Sequence, residues 1–76
     1  MAADQLPHLE TFCKAAEAGN FTAAARALGL TQAAVSQRVQ ALEQLLGVAL
    51  FDRQGGRVTL TKAGHRLRRG CRDLGA

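Results

Sequence analysis

The sequence predicts a mainly α-helical single domain: three packed helices, then a short two-stranded hairpin and one further helix. Three observations carry this. Apolar residues recur at helical spacing in successive stretches, each closed by glycine or opened by a hydroxyl residue. Between residues 48 and 60 that spacing gives way to two short apolar runs around Gln54-Gly55-Gly56, the pattern of a tight hairpin. The composition is rich in alanine and leucine, with three Phe and no Trp or Tyr, which suits helices and leaves little material for a β-sandwich. A chain of 76 residues is one domain, and at this size roughly 60% of the unfolded surface is buried, so the core is small.

In chain order, residues 1–5 read as a loose end. Leu6, Leu9, Phe12, Cys13 and Ala16 then form one apolar face of a first helix reaching about Ala18, with Pro7 tolerated in its first turn. Gly19-Asn20 ends it. Thr22 is the N-cap candidate for a short helix, Ala23 to Leu28, whose alanine face permits close approach by another helix, and Gly29 stops it. Only Gly29, Leu30 and Thr31 separate this helix from the next.

That next helix organises the chain. Thr31 is placed to cap it, Leu30 to pack on Val35 as a hydrophobic staple, and Gly47 to end it. Val35, Val39, Leu42 and Leu46 make one apolar stripe. Opposite lie Ala33, Gln37 and Gln40, with Gln32 and Ser36 on one shoulder and Arg38 on the other. A helix with only solubility to provide draws on Glu and Lys, whereas here no carboxylate precedes Glu43. Side chains that are short, or planar with both donors and acceptors, suit base edges, and the free amides of the helix start suit an anion.

After Gly47, Val48-Ala49-Leu50-Phe51 and Val58-Thr59-Leu60 are the expected strands, with Arg53 and Arg57 on the hairpin arms. Thr61 caps a last helix, Lys62 to about Leu74. Its apolar stripe, Leu67, Cys71 and Leu74, is narrow for a core element and reads as a dimerisation seam for another chain.

The formal net charge is +4, unevenly spread. Residues 1–22 hold one basic and three acidic residues, and residues 23–76 hold nine basic and three acidic. Arg53, Arg57, Lys62, Arg66, Arg68, Arg69 and Arg72 succeed one another without an intervening acid, a pattern that fits a polyanion or a plainly solvated face. Cys13 and Cys71 are far apart, lack C-x-x-C spacing, and Cys13 falls on an apolar face, so a reduced buried thiol is expected. His8 and His65 are isolated, so neither a metal nor a cofactor is expected. No apolar run approaches the ~20 residues of a bilayer span, and Asp4 replaces the basic start of a secretory signal; a cytoplasmic protein is expected. No nucleophile, base and carboxylate set and no phosphate loop stands out, so an enzyme is not expected. Lys62 to Arg72 lacks the aromatic anchor of a lipid-binding surface helix.

A short alanine-rich helix, a three-residue glycine turn and a polar-faced helix make a helix-turn-helix, and the hairpin after it stands where a wing would. At this point the chain resembles the amino-terminal winged helix-turn-helix domain of LysR-type transcriptional regulators, from Leu6 to about Leu67. The resemblance lies in Phe21-Thr22-Ala23-Ala24-Ala25, Leu30-Thr31-Gln32-Ala33-Ala34-Val35-Ser36, Leu42-Glu43, Leu46-Gly47-Val48, Leu50-Phe51-Asp52-Arg53 and Leu60-Thr61-Lys62-Ala63-Gly64.

The resemblance implies a three-helix core with a two-stranded wing in residues 1–60 and the start of a linker or dimerisation helix in 61–76. It implies sequence-specific binding of duplex DNA at interrupted palindromes by a homodimer or higher homo-oligomer. Helix 31–46 would lie in the major groove and wing 51–60 on the backbone or minor groove. By the same likeness Gln32, Ala33, Ser36 and Gln37 would face bases, Arg53 would sit near phosphates or the minor groove, and Thr22 would offer a helix start to a phosphate. Thr31, Arg38, Gln40 and Arg57 complete the expected DNA-binding set. Ala33 stands where the family often has proline, and Gln37-Arg38 where Arg-Gln is common, so base preference does not carry over. The family's effector domain has no counterpart in these residues, so an excised DNA-binding domain is expected ahead of a naturally short protein, with any small-molecule effector acting through that domain. The competing expectation is a winged-helix protein-interaction module docking a partner through the last helix.

Overall fold

The structure, a computed structural model, describes the backbone of residues 2–53 and 58–75 and the side chains of residues 7–53 and 58–71. Helices α1 (Ala2–Ala18), α2 (Phe21–Leu28) and α3 (Gln32–Leu46) pack on one another; strands β1 (Phe51–Asp52) and β2 (Thr59–Leu60) follow, then α4 (Lys62–Gly75). The architecture is the expected winged helix-turn-helix. The strands pair antiparallel, Phe51 opposite Leu60 and Asp52 opposite Thr59. The turn residues 54–57, including Arg57, lie outside the described residues.

The core is built from Phe12, Ala15 and Ala16 of α1, Phe21, Ala24 and Ala25 of α2, Val35, Val39 and Leu42 of α3, and Leu50 and Phe51. Alanines on α1 and α2 let those helices approach closely, and the three phenylalanines fill the remaining space. Phe51 sits at the junction, 5.3 Å from the Phe12 ring and 5.2 Å, edge to face, from the Phe21 ring. Such pairs add about 0.5–1.5 kcal/mol beyond area burial.

Several boundaries differ from expectation. Helix α1 runs back to Ala2, since Ala2, Ala3 and Gln5 favour helix and Pro7 does not end it. Asn20, not Thr22, caps α2: its Oδ1 accepts from the Ala23 amide at 2.6 Å, and Thr22 lies exposed within the first turn. Thr31 caps α3 as expected, its Oγ1 accepting from the Ala34 amide at 3.0 Å. Leu46 leaves the apolar stripe and is 50% exposed, because α3 has by then run past the helices that cover Val39 and Leu42. Val48-Ala49-Leu50 is not strand. The Glu43 carboxylate accepts from the amides of Leu50 (2.7 Å) and Phe51 (3.2 Å), so this segment is bound to α3.

The two cysteines are corrected. Cys13 and Cys71 form a disulfide, with Cα atoms 5.7 Å apart, where a reduced Cys13 was expected. Spacing along the chain could not show that α4 returns to α1. Leu67 and Cys71, read as a seam for another chain, pack half-buried against this domain's own core. The Leu74 side chain lies outside those described.

Candidate nucleic-acid interface

Helix α3 buries one face and leaves the other open. Val35 and Val39 are fully enclosed, while Gln32, Ala33, Gln37 and Gln40 are exposed in a row on the opposite side. Thr31, itself exposed, spends its hydroxyl on the Ala34 amide. The exposed row begins at the capped end of the helix, where unpaired amides and the positive end of the helix dipole lie.

Ser36 is half-buried because the wing reaches it. Arg53 Nη1 donates to Ser36 Oγ at 3.2 Å, and the Arg53 guanidinium lies 5.1 Å from the centre of the Phe21 ring. One exposed arginine thus touches α2 and α3 at once, held by a cation–π contact and a hydrogen bond. The reason is strand geometry: residues two apart share a face, so Arg53 follows Phe51 onto the side where Phe21 lies. Period-two alternation along Phe51-Asp52-Arg53 carried this signal. Charge along the stretch does not by itself reveal Phe21 as the support for Arg53.

Arg38 is placed differently from the rest of the set. It is half-buried, and its Nη1 donates at 3.5 Å to Thr11 Oγ1 on α1, which itself donates to the Pro7 carbonyl at 2.8 Å. It therefore lies on the shoulder facing α1, apart from the exposed Gln row. Thr22 is exposed on α2 without being its cap. The structure thus brings together Gln32, Ala33, Ser36, Gln37, Gln40 and Arg53 along α3, sets Arg38 and Thr22 at the margins, and does not describe Arg57.

The helix after the wing supplies charge. Lys62, Arg66, Arg68 and Arg69 are all exposed on α4. Its start is fixed to the wing root: Thr61 donates its hydroxyl to the Ala49 carbonyl (2.6 Å), receives the Gly64 amide on the same oxygen (3.0 Å), and donates its own amide to Leu50 O (3.0 Å). Glu43 and Thr61, neither singled out as a site residue, together hold residues 49–51 and so set where the wing stands relative to α3. No helix among the described residues is long and apolar enough to cross a membrane.

Comparison with known proteins gives a consistent result. A family model described as "Bacterial regulatory helix-turn-helix protein, lysR family" matches residues 6–65. An uncharacterised HTH-type transcriptional regulator of Azotobacter vinelandii is 53% identical over 62 residues, which are 82% of this chain and 43% of that protein. An HTH-type transcriptional repressor of Pseudomonas aeruginosa is 51% identical over 61 residues, 80% of this chain and 19% of the repressor. The chain therefore spans less than half the length of these relatives. Among solved structures, the DNA-binding domain of CbnR in complex with DNA superposes with a TM-score of 0.81 at 40% identity, covering 90% of this chain and 78% of that one. The DNA-binding domain of BenM, solved on catB site 1 DNA, gives a TM-score of 0.84 at 35% identity, covering 91% and 78%. With the fold, the wing and the family model agreeing over most of its length, this chain belongs to the LysR family of bacterial helix-turn-helix regulatory proteins.

Proposed function

We propose that this chain binds duplex DNA sequence-specifically, in the cytoplasm, as the DNA-binding part of a transcriptional regulator and without catalytic activity of its own. The observation that carries this is the uncharged exposed row Gln32, Ala33, Gln37 and Gln40 on α3, with Arg53 of the wing pinned to Ser36 on the same helix. Helix α3 enters the major groove with Gln32 nearest the base edges, its amide able to donate and accept as adenine N7 and N6 require. Ala33 and Ser36 are short enough to let the helix sit deep, and Gln37 and Gln40 reach across the groove. Arg53, Arg57 and the exposed cations of α4 neutralise phosphates or enter the minor groove, Thr22 presents the start of α2 to a phosphate, and Arg38 supports α3 from the α1 side. Two copies associate through α4, by way of Leu67, Cys71 and Leu74, and so place two α3 helices on one face of an interrupted palindrome. Selection of bound sequences from a random duplex pool at physiological salt tests this; a pool that emerges unenriched overturns it.

The division between reading and holding is testable in the same assay. Gln32→Ala is expected to cost about 1–3 kcal/mol on the selected site and to flatten preference at one base pair per half-site, with the salt slope unchanged. Arg53→Ala is expected to weaken selected and random DNA alike and to reduce the salt slope by about 1. Equal losses by both variants on both kinds of DNA would refute the assignment.

A further inference from the structure

We propose that Cys13 and Cys71 form a reversible dithiol–disulfide site, exchanging with small cellular thiols and disulfides, whose oxidation pins α4 to α1. The bond joins residues 58 apart in sequence and ties the third turn of α4 to the first helix of the core. Nearer its start, α4 is attached through Thr61, through Gly64 packed on the Leu50 carbonyl, and through Leu67. Cys71 lies one turn beyond Leu67 and, like it, packs partly buried against the core. The turn it holds is weak by itself. Gly70 has open space where a side chain would stand, so no close packing requires it, and glycine disfavours helix. Arg68 and Arg69 beside it are exposed. The bond fixes covalently a contact that otherwise rests on the partial burial of Cys71.

Neither cysteine is fully buried, and exchange proceeds by attack of a thiolate on one of the two sulfurs. Oxidation by a low-molecular-weight disulfide breaks two S–H bonds, forms one S–S bond, and passes two electrons and two protons to the oxidant, which leaves as two thiols. Reduction is the reverse exchange. In a reducing compartment such bonds are characteristically transient. The consequence for DNA, a fixed or a free direction for α4 as it leaves the domain, rests on the proposed function.

The test equilibrates the chain in glutathione disulfide or in glutathione without denaturant, counts alkylatable thiols by mass, and follows amide exchange of residues 68–75. The expected result is no free thiol in the first buffer and two in the second, with α4 exchange on the order of tenfold faster when reduced and α3 protection unchanged. Cys71→Ser, and separately Cys13→Ser, are expected to show fast α4 exchange in both buffers. Thiols that stay free in excess glutathione disulfide, a bond that resists excess glutathione, or equal α4 exchange in the two states would each overturn the proposal. Binding to the selected DNA is measured in the same buffers; its loss in every buffer removes the proposed function, while the thiol and exchange readouts still decide the switch.

Discussion

Glu43→Ala is expected to lower the unfolding free energy by about 3 kcal/mol, which for a domain of this size moves the thermal midpoint by about 12–24 °C. The Glu43 carboxylate is the acceptor for two consecutive amides, those of Leu50 and Phe51, and both residues belong to the core. Alanine leaves both donors without that partner, and an unsatisfied buried donor costs about 1–3 kcal/mol. Glu43→Gln keeps one acceptor oxygen and removes the charge, so it is expected to lose only about half as much. Since Phe51 and Arg53 follow directly, the alanine variant is also expected to bind DNA more weakly with an unchanged sequence preference. Thermal unfolding followed by circular dichroism checks the first point; a loss below about 1 kcal/mol would show the carboxylate to be dispensable.

Gly64→Ala is expected to cost about 3 kcal/mol, at the upper end of overpacking effects, although alanine normally strengthens a helix. A Cβ at Gly64 would overlap the Leu50 carbonyl oxygen and come within 2.9 Å of Leu60 Cδ2. The leucine side chain can rotate away. The carbonyl cannot retreat, because it accepts the Thr61 amide at 3.0 Å and its residue is fixed from the other side by Glu43. Gly70, on the same helix, meets nothing within 4 Å, and there the same substitution is expected to stabilise by about 1 kcal/mol. Opposite signs at the two positions in parallel denaturant titrations are the expected outcome. Equal signs would mean that α4 does not rest on the Leu50 backbone.

The helices were legible because their information is local. Thr31, Gly29 and Gly47 mark ends by conformational preferences that neighbours cannot change, and all three act as read, both glycines taking positive φ. Val35, Val39 and Leu42 declare the buried face of α3 by spacing, and so also declare Gln32, Ala33, Gln37 and Gln40 as its open face. Asn20 and Thr22 show where local reading stops: both can cap, and the choice between them depends on Phe21 entering the core as the first residue of α2.

The sequence by itself determined a helix-turn-helix, a wing at its end and a basic tail, because periodicity and capping act within a few residues. Only the tertiary structure decided that Arg53 lies on Phe21 and donates to Ser36, that Arg38 turns to Thr11, that Glu43 holds the Leu50 and Phe51 amides, and that Cys71 returns to Cys13. Each of these joins groups 7 to 58 residues apart. Which donor finds which acceptor across such distances depends on how the helices cross, and crossing is settled by the small side chains and three phenylalanines of the core acting together.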